Sequence, residues 1–289
     1  MIRFKNGHVY FEKEFLGPDF KRTFPLIENM NPPSYNDFGV YLIYTKDYKQ
    51  AKSIFLDLIK KNYADKALLY STRANLGTLY ELTGKNDSAL YWIKEAVAID
   101  STSHNGSEWV HIKLLEAKIK AQNNKNRDFL KGYNILGLDW GTGDLPVNVG
   151  NINISEVKGD IFYQLNERLK FIKPKDPIMA RLLFDMGTAA AFVDNIQSAL
   201  EIYDKAEEFG YDSKQMKKWK SYFNTLEPTS KLAYSAPKEV KDSTVTKYPD
   251  EIFSNPEKSP RPFLSYVYWG AVIGAVIGAI IYKIAKRKS

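Results

Sequence analysis

The chain has 289 residues, 44% of them hydrophobic, with 41 Lys and Arg against 34 Asp and Glu for a net charge of +7. That length allows one or two domains with ample core, and the absence of cysteine excludes disulfides, thiolate zinc sites, iron–sulfur clusters and a cysteine nucleophile. Residues 1–226 carry 31 basic and 28 acidic side chains while residues 227–289 carry 10 and 6, so the body is close to neutral and a general basic footprint for nucleic acid is not supported.

Residues 2–11, IRFKNGHVYF, set Asn6-Gly7 between two short alternating runs, the preferred turn of a two-residue β-hairpin, with Phe4 facing Val9. This hairpin and the residues up to 31 are expected to pad the end of the fold. From Asn36 to about Tyr211 the pattern is helical and broken by short turns. An irregular stretch near 123–152 contains LGLDWGTGDLPVNVGN and reads as a long loop. Helical segments at 107–121 and about 155–171 flank it.

One pattern occurs three times: a Gly, an Ala twelve residues later, an aromatic residue or Ile four further, and Ala or Leu three beyond that. The copies are Gly39, Ala51, Phe55, Leu58; Gly77, Ala89, Ile93, Ala96; and Gly187, Ala199, Tyr203, Ala206. Small residues where two antiparallel helices cross allow close packing, and the larger ones knob into the neighbouring repeat. The second copy, NLGTLYELTGKNDSALYWIKEAVAID, strongly resembles the tetratricopeptide repeat (TPR), and the other two resemble it well enough. Leu42 and Ala190 stand where the family favours Tyr, and the family's closing Pro is absent from all three. The first two copies are 38 residues apart and the last two 110, too far for a regular superhelix throughout. The intervening helices resemble those of a group of bacterial TPR proteins, many of them exported.

The resemblance implies an all-α, TPR-like helical-hairpin solenoid over 32–226, with repeats at about 32–64, 70–103 and 180–212, irregular in the middle. In such arrays the first helix of each repeat lines a groove, which makes Tyr44, Asn75, Thr78, Glu81, Arg181 and Asp185 the candidates for partner binding. In chaperone-binding members an Asn at the place of Asn75 holds a peptide's terminal carboxylate, with Lys and Asn from the preceding repeat and Lys and Arg from the next. The first copy offers Asn36 and Val40 and no Lys, so that clamp is incomplete.

His8, His104 and His111 lack the spacing of a metalloprotease motif and read as surface or capping residues. Gly141-Thr142-Gly143 has no strand-to-helix context and reads as a turn. Glu167, Arg168 and Asp185 sit on helices where ion pairing is the default. No catalytic constellation, metal or cofactor is expected.

Residues 227–262 hold six of the 13 prolines and are expected to form an extended tether, roughly 35 Å root-mean-square and up to about 110 Å long. Phe263 to Tyr282 then runs for twenty residues without a charge, and as a helix it spans roughly 30 Å of hydrocarbon. Gly270, Gly274 and Gly278 form a small-residue face suited to helix–helix contact and hence to a homo-oligomer. The tail 283–289 carries Lys283, Lys286, Arg287 and Lys288, which by the positive-inside rule place it in the cytoplasm and the body outside. The N-terminus has no apolar core of a signal peptide, so a cytoplasm-facing tail anchor is the other topology. A bacterial inner membrane is the expected location. The leading expectation is a non-catalytic, membrane-anchored adaptor that binds a protein or peptide. The other is a structural component that assembles through the glycine face of its span.

Overall fold

The computed structural model describes residues 2–5, 8–11, 26–126, 128–150, 152–169 and 172–233. The Asn6-Gly7 turn, residues 234–262 of the expected tether, the span 263–282 with its three glycines, and the basic tail lie outside the described residues. The first part of that tether, 227–233, is described and packs on the body instead of standing free, with Ile196 N–H donating to Ser230 O and Leu232 N–H to Ala191 O, both at 2.9 Å. Among the described residues no helix is long and apolar enough to cross a membrane.

Among the described residues the fold is all-α apart from two short strands. β1 (Ile2–Lys5) and β2 (His8–Phe11) pair antiparallel, with Phe4 opposite Val9. β2 runs beside the helix Ile196–Glu208, where His8 Nδ1 lies 2.8 Å from Glu201 Oε1. Nine helices follow among the described residues: α1 (Pro32–Tyr44), α2 (Tyr48–Lys61), α3 (Lys66–Leu82), α4 (Asn86–Val97), α5 (Glu108–Gln122), α6 (Ile154–Arg168), α7 (Pro177–Val193), α8 (Ile196–Glu208) and α9 (Lys214–Phe223).

Their starts follow from local chemistry. Asn31, Asp47, Asp65, Asn153, Asp176, Asn195 and Ser213 each accept a backbone N–H of the first helical turn. That satisfies donors that would otherwise have no partner within the helix. Proline occupies the first turn of α1 and α7, where its missing N–H costs nothing.

Helices pack in chain order as a row of hairpins, α1 with α2, α3 with α4, and α7 with α8, while α2, α4 and α6 each lie against the helix that follows. The threefold sequence pattern has one physical meaning in all three. A Cβ placed on Gly39 would sit 2.6 Å from the Phe55 ring, on Gly77 2.7 Å from Ile93 Cδ1, and on Gly187 2.7 Å from Tyr203 Cδ1. The glycine is thus the hole for the knob sixteen residues later, and the buried Ala51, Ala89 and Ala199 keep the paired helix close. Helices α5 and α6 occupy the interval between the second and third copies, with the 123–152 loop inserted between them.

Helix α9 lies beyond the stretch that the sequence pattern marks as helical. Its Met216, Trp219 and Phe223 are buried, and the Phe223 and Trp219 rings stack near Tyr203 (5.9 Å) and Phe184 (5.8 Å). It covers the face of α8 that a further hairpin would otherwise need to cover.

These contacts set opposite expectations for two helical glycines. Gly159 on α6 has no atom within 4 Å of an added Cβ, so Gly159→Ala should stabilise by up to about 1 kcal/mol through helix propensity. Gly187→Ala should instead destabilise by about 1–2 kcal/mol, because overpacking costs about 1–3 kcal/mol and Tyr203, fully buried, has nowhere to move. Urea midpoints of the two variants check this, and a stabilised Gly187→Ala would refute the close crossing.

Candidate functional site

A cavity of about 420 Å³ opens between α1, α3, α5 and α6, and four of the six groove candidates, Tyr44, Asn75, Thr78 and Glu81, line it together. Apolar cover comes from Val40, Ile43, Leu82 and Ile172. Asn75 Nδ2 donates to Asn36 Oδ1 at 3.4 Å, as does Thr72 Oγ1 at 3.2 Å, which ties α3 to α1. Asn75 therefore serves the helix–helix contact as well as the cavity wall.

One side of the cavity is an ionic network. Glu81 Oε1 accepts from Lys118 Nζ at 2.6 Å, and Glu81 Oε2 accepts from His111 Nε2 at 2.7 Å with Arg168 Nη2 at 3.5 Å. His111 turns its other nitrogen, Nδ1, to Glu108 Oε2 at 3.1 Å, so both ring nitrogens face carboxylates. Glu108 Oε1 also meets His104 Nδ1 at 2.5 Å and accepts from Tyr70 OH at 3.1 Å. Arg168 bonds Gln164, whose Nε2 donates to Ser107 Oγ at 3.0 Å. Three helices distant in sequence are thereby joined by charge-assisted hydrogen bonds, the strong class of such contacts.

Backbone geometry aims His104 at this network. His104, Asn105 and Gly106 have φ of 53°, 57° and 71°, a run of left-handed residues that costs about 1–2 kcal/mol at each non-glycine position. The resulting turn sets the imidazole against Glu108 and stacks it on Tyr163, with ring centroids 5.1 Å apart.

Burial alone would raise the Glu81 carboxyl, but Arg168, His111 and Lys118 outweigh it and hold it well below the usual value. Burial opposes Glu108 in the same way, and bonds from His104 and His111 hold its carboxyl low. For His104 burial would lower the imidazole, yet the bond to Glu108 and the charges of Glu108 and Glu167 raise it. Burial pushes the Tyr163 hydroxyl up to about 12, helped by Glu167 and Glu108. The acids and bases of the network are spent on one another. Among the described residues no group of three or more His, Asp or Glu is placed to hold a metal ion.

Arg181 and Asp185, the other two groove candidates, lie elsewhere. By repeat register Asp185 corresponds to Asn75, each two residues before the repeat glycine. Residues 178–192 of α7 are nonetheless all buried, and no stripe of that helix faces a groove. Arg181 Nε and Nη2 donate to Asp185 at 2.9 and 3.0 Å, Nη2 also donates to Asn134 Oδ1, and Trp140 Nε1 donates to Asp185 Oδ1, both at 3.0 Å. Burial pushes the Asp185 carboxyl up, against the pull of Arg181. The 123–152 loop supplies the cover, with Ile135, Leu136, Leu138 and Trp140 all buried in the core. At about 1.5–3 kcal/mol for each side chain, that burial is comparable to a whole domain's stability of about 5–15 kcal/mol. The loop is a fixed part of the core, not a flap over a groove.

Sequence reasoning missed His104, Glu108, His111, Lys118 and Gln164 as cavity residues. One signal was available on α5: Glu108 and His111 fall on the face continued by Leu115, at i, i+3 and i+7, where an apolar residue is the rule. No protein-family model, curated protein or solved structure matches the chain.

Proposed function

We propose that the protein is a non-catalytic docking protein of the tetratricopeptide kind. A polypeptide segment of its partner lies in the cavity between α1, α3, α5 and α6, and residues 263–282 hold the chain at a membrane. The observation that carries the reading is the convergence of Tyr44, Asn75, Thr78 and Glu81 on one cavity. These residues come from the first helices of two successive hairpins, and the repeat glycines pack as such hairpins require. A cavity of this volume is in the range of ligand-binding clefts, about 300–1,000 Å³. Tethering to a bilayer raises the effective concentration of the body toward membrane partners without any new contact. The run Gly270, Gly274, Gly278 supports a second reading, assembly through the span.

Photo-crosslinking on membranes tests both readings. A photoreactive residue at Thr78 is expected to crosslink a partner polypeptide, whereas one at exposed Tyr222 is not; equal labelling from both positions would remove the docking reading. The chain should remain with the membrane after an alkaline wash. If assembly through the span is the function, Gly274→Ile abolishes the oligomer ladder; an unchanged ladder excludes it.

A further inference from the structure

We propose that His104 reads the docked segment through Nε2: the protonated ring donates Nε2–H to a neutral carbonyl oxygen of the partner, and the segment is released as that proton leaves. This rests on the docking reading and adds the atom that recognises the partner and the event that switches it. His104 lines the cavity, and its side chain is 38% exposed. Its Nδ1 lies 2.5 Å from Oε1 of the buried Glu108, whose carboxyl titrates well below its ordinary range. An ionised carboxylate only accepts, so Nδ1 carries a proton whether the ring is charged or neutral, and the proton that comes and goes is the one on Nε2. Nε2 has no hydrogen-bond partner among the described residues, yet it is not enclosed. His111 differs, since carboxylates hold both of its nitrogens.

The groups packed around the ring come from three helices. Helix α3 brings Tyr70, α5 brings Glu108, which His104 shares with His111, and α6 brings Tyr163, Glu167 and Arg168. Burial and Arg168 disfavour the charged ring, but the bond to Glu108 and the charges of Glu108 and Glu167 outweigh them. Stacking on Tyr163 and the left-handed turn hold the imidazole in place. The acceptor it meets is a neutral one. Glu108 already balances the imidazolium, and Lys118 and Arg168 are both directed at Glu81, so no spare positive charge is left to hold an anion. Asn75 gives the cavity a second open polar atom: Nδ2 donates to Asn36, while Oδ1 has no partner among the described residues and is not enclosed. A polypeptide backbone supplies what both lack, a C=O for Nε2–H and an N–H for Oδ1. Val40, Ile43, Leu82 and Ile172 offer apolar surface to its uncharged side chains.

The test presents the full chain in detergent with randomised decapeptides built from Gly, Ala, Val, Leu, Ser, Thr, Asn and Gln, with acetylated and amidated ends, so that only the protein titrates. Retention is expected to fall about ten-fold between about pH 5.5 and about pH 8.5, either side of the ordinary histidine value, with the circular dichroism unchanged. In His104→Gln, which keeps an N–H but has no proton to lose, retention should be the same at both pH values. Nitrogen-15 spectra of labelled histidine give a second measurement on the unaltered chain, with His104 assigned by its proximity to Tyr163. By linkage, bound library should raise the midpoint at which Nε2 loses its proton by about one pH unit, the counterpart of a ten-fold change in affinity. Retention that is absent, equal at both pH values or stronger in alkali overturns the inference, as does a pH response that persists in His104→Gln or a midpoint that stays put or falls. If crosslinking from Thr78 persists in any of those cases, docking itself stands; if it is lost as well, both fall.

Discussion

Arg181→Met is expected to destabilise the domain by about 3–5 kcal/mol, the usual cost of leaving one partner of a buried ion pair alone. Asp185 is fully buried, and without the guanidinium it keeps only the Trp140 indole N–H among its bonds described above. Replacing both charges, Arg181→Met with Asp185→Leu, should recover part of the loss, because two apolar groups no longer carry an unpaired charge. Recovery should stop about 1–3 kcal/mol short, since Trp140 Nε1 and Asn134 Oδ1 then lose their partners in a buried setting. Urea unfolding followed by tryptophan fluorescence measures all three variants. A single variant that costs under about 1 kcal/mol would mean that water reaches the pair, as the repeat register by itself suggests.

Stability should pass through a maximum in mildly acid solution. Glu81 and Glu108 titrate below their ordinary range in the folded chain. Their contribution is therefore present above the unfolded value of about 4.3 and is lost as pH falls through the folded values. His104 is raised, so its contribution is complete below about 6.5 and is lost as pH rises through its folded value. Melting temperatures from pH 3 to 9 should thus fall steeply on the acid side and gently on the alkaline side. Glu108→Gln removes the carboxylate that raises His104 and should flatten the alkaline limb. Glu81→Gln leaves Lys118, Arg168 and His111 facing a neutral group and should cost about 3–5 kcal/mol at neutral pH. An alkaline limb unchanged in Glu108→Gln would show that the imidazole–carboxylate contact does not set the pH response.

The hairpins were legible because their determinants are local. A glycine and its knob sixteen residues on belong to the same pair of helices, so Gly39 and Phe55, Gly77 and Ile93, and Gly187 and Tyr203 could be matched by spacing alone. Helices α5 and α6 were placed to within a few residues by their periodicity, and the 123–152 stretch was recognised as irregular from its turn residues. Four groove candidates were found because they follow the same repeat register. That register failed for Arg181 and Asp185, since what covers a helix face cannot be read from the helix itself.

By itself the sequence determined the hairpin register, the near-neutral charge of the body and the twenty-residue uncharged run that carries the proposal of an anchor. Only the tertiary structure decided where the open cavity lies. Trp140 reaches Asp185 across 45 residues, and Lys118, His111 and Arg168 reach Glu81 across 30 to 87. Such contacts depend on which helices the inserted loop brings together. No periodicity within a single helix encodes that, so buried charge pairs and a polar cavity could arise from segments that separately read as ordinary solvated helices.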